Sequence, residues 1–108
     1  MPKKDNLQGA LELLIMKILR RGPSHGFAVA SHIQQISEEV LRVEAGSLYP
    51  AVHRMTEAGL LRAEWRMSEA GRRARFYELT TKGRRKLEAE EKKWLGISAA
   101  VTKILRTA

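Results

Sequence analysis

Apolar residues open the chain with helical spacing. Leu7, Leu11, Leu14, Ile15, Ile18 and Leu19 fall on one stripe, with Asp5 or Asn6 available to cap the helix and Gly22-Pro23 to end it. Ser24 is then placed to cap a second helix, one side of which carries Val29, Ile33 and Ile36. Leu41-Arg42-Val43 reads as a brief extended bridge. Between Glu44 and Leu61 comes a third helical pattern with two faces. Leu48, Val52 and Met55 recur at i, i+4 and i+7 and face a core, while Ser47, Pro50, His53, Arg54 and Glu57 project the other way. Pro50 has no N–H to donate, which predicts a place near the first turn of that helix. Gly59 stops it.

The period then changes from helical to alternating. Leu61, Ala63, Trp65 and Met67 share one face of a strand; Arg62, Glu64 and Arg66 share the other. Ser68-Glu69-Ala70-Gly71 is the turn, and Arg73 to Leu79 is the return strand with Tyr77 and Leu79 inward. Trp65 is expected to pack under this hairpin. Thr80 caps a last helix running to about Arg106. The order predicts a mainly α fold with a small β-hairpin. It is a winged helix-turn-helix over residues 1–80 followed by a long C-terminal dimerisation helix over 81–108, together one compact unit.

The last helix carries its own apolar stripe: Leu87, Trp94, Ile97, Val101, Ile104 and Leu105. Its first two turns can lie against the domain through Leu87, but the rest extends beyond what a winged helix of this size covers. A solvated stripe containing a tryptophan is unfavourable. Either the helix packs on the same helix, and the first helix, of a second copy in a symmetric dimer, or it folds back on its own domain. Gly96 in the middle is a mild helix penalty that can also permit close helix approach.

Composition sharpens this picture. The 108 residues carry a formal net charge of +8 and a pI near 10.3, which favours a polyanionic partner, nucleic acid before an anionic membrane surface. There is no cysteine, so disulfides and thiolate metal sites are excluded, in keeping with a reducing cytoplasm. The first apolar stretch is broken by Glu12 and Lys17, so neither a signal peptide nor a membrane span is expected. His25, His32 and His53 lack metal-ligand spacing, and there is no G-x-S-x-G, P-loop or other cofactor motif; neither a catalytic nor a metal site is expected. A short helix with a basic, hydrogen-bonding outer face beside a basic hairpin is what a duplex-DNA reader presents. Its candidate contacts on the third helix are Ser47, Tyr49, Pro50, His53 and Arg54. Arg and His donate to guanine edges or phosphates, and Pro50 and Ala51 offer apolar contact to a thymine methyl. Tyr49 lies at the edge of the core face, placed either to pack with its hydroxyl exposed or to reach a phosphate. Arg72 and Arg73 at the hairpin tip suit phosphate contact; Arg75 either joins them or pairs with Glu64 across the strands. Ser24 and His25 either present backbone N–H groups to a phosphate or simply cap. Lys3 and Lys4 form a short basic arm. Lys82, Arg84 and Arg85 open the last helix as a solvated group.

Several stretches together resemble one known family. Leu48-Tyr49-Pro50-Ala51-Val52-His53-Arg54-Met55 with Glu57-Ala58-Gly59-Leu60-Leu61 looks like the recognition-helix signature of the PadR-like transcriptional regulators. Gly71-Arg72-Arg73-Ala74-Arg75-Phe76-Tyr77-Glu78-Leu79-Thr80-Thr81-Lys82-Gly83 looks like their wing and the entry to their last helix. Leu13-Leu14-Ile15-Met16 and Gly22-Pro23-Ser24-His25-Gly26-Phe27 match the first two helices. The resemblance runs from about Asn6 to Leu105, and the length is that of the short branch, which lacks the extra helical domain of the longer phenolic-acid regulators. It implies a homodimeric regulator, most often a repressor, binding an inverted-repeat operator in double-stranded DNA. It further implies an aromatic at the dimer interface, here Trp94. In some short members paired tryptophans there flank a slot for a small planar aromatic effector; the plainer role is a core tryptophan sealing the dimer. Phe27 departs from the pattern, since the family usually has tyrosine after that glycine, and the missing hydroxyl removes one potential backbone contact to DNA.

Overall fold

A computed structural model of the chain describes residues 10–108. The expected Asp5 or Asn6 cap, the contribution of Leu7 and the Lys3-Lys4 arm lie outside the described residues. Helix α1 covers Leu11–Leu19, β1 Ser24–His25, α2 Gly26–Ile36, α3 Ala45–Glu57, β2 Leu61–Met67, β3 Arg73–Leu79 and α4 Thr81–Thr107. The three expected helices, the hairpin and the long last helix are all present, in the expected order.

The core gathers one face from each element. Ile15, Met16 and Leu19 of α1 meet Val29 and Ile33 of α2 and Leu48, Val52 and Met55 of α3; Leu61 and Leu79 close it from the sheet and Leu87 from α4. Burying this apolar set is the main driving force for the fold. Ile36, expected on the inner side of α2, is exposed, because it is the last residue of the helix and lies past the edge of the core. Two backbone motifs set the chain path into the sheet. Helix α3 ends in a Schellman arrangement, with the Gly59 N–H donating to the Thr56 carbonyl and the Leu60 N–H to the Met55 carbonyl. That motif needs a left-handed residue, and Gly59 supplies it at φ +79°. The Thr80 hydroxyl caps α4 as expected, accepting from the Gly83 N–H at 3.0 Å.

The sheet has three strands in the order β1-β3-β2, not two. Ser24 and His25 pair antiparallel with Tyr77 and Phe76 of β3. Ser24 is therefore a strand residue, and the cap of α2 passes to His25, whose Nδ1 accepts from the Ala28 N–H at 3.2 Å. Across the hairpin, Leu61 lies opposite Leu79 and Met67 opposite Arg73. Pro50 is also not where its chemistry alone would place it, being the sixth residue of α3. The carbonyl it leaves without an N–H partner is that of Gly46, on the exposed face of the helix, where water can satisfy it.

Helix α4 has 27 residues and extends roughly 40 Å at ~1.5 Å per residue. Among the described residues, its buried contacts with the domain are made by its first turns, through Gly83 and Leu87. Leu87 is 1% exposed, a core residue of its own chain, and so it anchors α4 rather than offering surface to a second copy. The ion pair between Lys17 of α1 and Glu91 of α4, at 3.0 Å, lies one turn beyond Leu87. Beyond it Trp94, Leu95, Ile97, Val101, Ile104 and Leu105 are all exposed; the helix does not fold back to bury them.

Candidate nucleic-acid interface

The outer face of α3 presents Tyr49, Pro50, His53, Arg54 and Glu57 to solvent, with Ser47 half-buried at its margin. His53 and Arg54 on this face already have acid partners. His53 meets Glu57 one turn on, at 2.8 Å. Arg54 reaches sideways to Glu12 of α1 at 3.3 Å, above a hollow also lined by Lys86 and Glu90 of α4. Arg54 thus occupies the α1 flank of the helix, away from the wing. Tyr49 occupies the opposite flank. Its ring packs against Gly26, where an added Cβ would lie 3.0 Å from the tyrosine Cε1, yet the residue remains 49% exposed. Packing and accessibility coexist there.

The wing carries arginines with and without an acid partner. Toward its base Arg62 pairs with Glu78 across the strands at 2.8 Å, and further out Arg66 pairs with Glu64 of its own strand. The Arg62 guanidinium, by hydrogen bond and charge, holds the Glu78 carboxyl below its ordinary value, and Glu78 raises Arg62 in return. At the tip, Arg72, Arg73 and Arg75 have no carboxylate partner among the described residues. The three guanidiniums make the wing tip cationic, with Glu69 the one acid in the turn itself. Arg75 does not pair with Glu64, since β-pairing places Glu64 opposite Phe76 and Arg75 opposite Trp65. Trp65, expected under the hairpin, is 55% exposed and has the guanidiniums of both Arg73 and Arg75 over its ring. Its strand alternation is as expected, but the hairpin reaches past the core, so the face that is inward at Leu61 is open by Trp65.

His25, Gly26, Phe27, Tyr49, Arg72, Arg73 and Arg75 line one cleft between the start of α2, the start of α3 and the wing tip. The fold thus brings His25, Tyr49 and the three wing arginines together. His53 and Arg54 lie outside this cleft on the rest of the α3 face, and Ser24 opens on the other side, beside His32 and Phe76. Phe27, on the first turn of α2, is one of the most exposed apolar residues of the chain and forms the cleft's hydrophobic wall. Sequence pattern had singled it out only as a departure from a family motif. Glu57, one turn from His53, was already legible on the outward face, whereas the pairing of Glu12 with Arg54 was not, because it joins two helices and depends on their packing. Among the described residues no group of acidic and histidine side chains could hold a metal ion, and no helix is long and apolar enough to cross a membrane.

A groove-sized helix face beside a cationic wing is the geometry of winged-helix DNA binders. Residues 15–89 match the family described as the transcriptional regulator PadR-like family. Solved structures agree. A PadR family transcriptional regulator from Eggerthella lenta shares 30% identity over 94% of this chain and 86% of its own, with a TM-score of 0.76. A PadR-like regulator from Bacillus cereus shares 26% identity over 94% and 97%, with a TM-score of 0.81. A PadR family regulator from Clostridium difficile shares 27% over 90% and 99%, with a TM-score of 0.78. No curated protein matches the chain at a significant level. The chain belongs to the PadR-like family of transcriptional regulators: it is a winged-helix DNA-binding regulator and not an enzyme.

Proposed function

We propose that the protein acts as a homodimeric repressor on an inverted-repeat operator. Residues 1–80 form the DNA-binding unit and residues 81–108 the dimerisation helix. The observation that carries the reading is the pairing of two exposed surfaces on one small chain: the α3 face with its cationic wing, and the bare apolar stripe of α4. Trp94, Ile97, Val101, Ile104 and Leu105 of two copies bury one another. This sets two α3 helices at the separation of successive major grooves. Ser47, Tyr49, Pro50, His53 and Arg54 then face the bases and adjoining phosphates, and Arg72, Arg73 and Arg75 grip the flanking backbone. At the entry to α2, His25 lines this cleft and Ser24 adjoins it along the chain, so this corner adds a phosphate contact.

Control follows from the same helix. An effector that binds one separation of the two winged domains better than another shifts the pair between states that fit and do not fit the operator. Trp94, 44% exposed, stands beside a hollow lined by Ala10, Leu13, Glu90, Lys93 and Ile97, a setting for stacking a small planar aromatic compound. The deciding experiment is fluorescence anisotropy with the chain's own upstream DNA against a scrambled duplex at near-physiological salt. A preference of about a thousandfold, saturating at one dimer per site, supports the operator reading. Equal affinity for upstream, scrambled and genomically selected duplexes overturns it.

A further inference from the structure

We propose that Trp65 is a positioning residue for DNA binding, holding Arg73 and Arg75 in the conformation that meets the phosphate backbone. This rests on the wing contacting DNA, as above, and adds a residue outside the expected contact set. The Arg73 guanidinium lies 5.3 Å and that of Arg75 5.5 Å from the centre of the Trp65 ring. Both distances fall within the reach of cation–π attraction, for which tryptophan is the best partner. β-Pairing explains the arrangement. Trp65 stands directly opposite Arg75, and Arg73 is its diagonal neighbour on the same face, two residues before Arg75 at the start of β3.

Three further observations give the ring this task. It is half-exposed and is no member of the hydrophobic core, so packing does not account for it. Neither arginine has a carboxylate partner among the described residues, so the indole is what orders them. Both arginines line the cleft shared with His25, Gly26, Phe27 and Tyr49, so the order is imposed on the side where α2 and α3 also present groups. A free arginine loses much rotamer freedom when it grips a phosphate; one already stacked on a ring loses less. Unlike a carboxylate, the ring orders the cation without neutralising it.

The test is a double-mutant cycle. Trp65→Ala and Trp65→Phe are compared in the parent chain and in an Arg73→Ala/Arg75→Ala background, each binding a mixed-sequence duplex at low salt, where backbone contacts dominate whatever the operator. Thermal melting confirms that each variant is folded. Trp65→Ala is expected to weaken binding about fivefold in the parent, a loss of the size that exposed cation–π contacts support. Trp65→Phe recovers most of it, and in the arginine-less background Trp65→Ala changes little. An equal loss in both backgrounds makes the ring a direct DNA contact and overturns the positioning role. No loss from Trp65→Ala while the arginine variant binds more weakly also overturns it, leaving the wing reading intact. No loss from the arginine variant itself overturns the wing reading and this inference together.

Discussion

At the scale of single residues, the interface is tuned by carboxylates as much as by cations. Glu12 holds Arg54 on the α1 flank of α3, and both side chains are well exposed, so the pair is solvent-screened and weak. Glu12→Gln is expected to raise affinity for operator and scrambled duplexes alike, by about two- to fivefold from the usual strength of such pairs, and to steepen the salt dependence. Anisotropy titrations at several salt concentrations check this; unchanged affinity for both duplexes removes Glu12 from the interface. The Arg62–Glu78 pair belongs to the fold. Because the folded state lowers the Glu78 pKa, its contribution is present above the ordinary carboxylate value and is lost as the pH falls through the lowered one. The stability deficit of Glu78→Gln should therefore be small at neutral pH and vanish in acid, as urea melts across pH would show. None of these ion pairs could be read from the chain beforehand. Arg54 was legible as a basic residue on an outward face, but the acid beside it comes from a different helix.

At the scale of elements, helix period, strand alternation and stop signals were enough to place α3, β2, β3 and α4. What they missed were close approaches. An added Cβ at Gly83 would lie 2.2 Å from the Leu60 carbonyl oxygen and 2.6 Å from a Leu79 methyl carbon, neither of which has room to move. Helix propensity alone favours alanine there by about 1 kcal/mol, yet Gly83→Ala is expected to destabilise the protein by about 2 kcal/mol or more through overpacking. Gly96, on the same helix, has nothing within 4 Å of its would-be Cβ in the single chain. Chemical denaturation of Gly83→Ala against wild type decides the point; a stability gain would show that α4 does not sit tightly over the end of α3. The third strand escaped for a related reason. Two residues are too short to alternate, so Ser24-His25 looked like a helix cap until β3 was found alongside.

At the scale of the whole molecule, the chain is a small DNA-binding body with a long helix half out of it. The exposed stripe from Trp94 to Leu105 is an unfavourable feature of the isolated chain. Val101→Asp places a charge in the middle of that stripe, far from the core. It is expected to leave the winged domain folded, convert a dimer to a monomer at micromolar concentration, and weaken operator binding by at least ~100-fold through loss of two-site binding. Sedimentation and anisotropy on the same samples test both halves. A wild-type chain that is itself monomeric at that concentration overturns the dimer.

Apart from the short β1, the amino-acid pattern by itself determined which segments are helical or extended, where they stop, which faces are apolar and that the outer surface is cationic. These properties depend on neighbours a few positions away: Leu48, Val52 and Met55 on one face, Thr80 and Gly59 at the element ends. Only the tertiary structure decided which of those residues are available. It buried Leu87 in its own core, bared Trp65 under two arginines, turned Arg54 to Glu12 and set Tyr49 against Gly26 at the edge of a cleft. Burial and pairing depend on where elements end relative to one another in space. The wing outruns the core by a few residues, and α4 by several turns, distances that local periodicity does not encode.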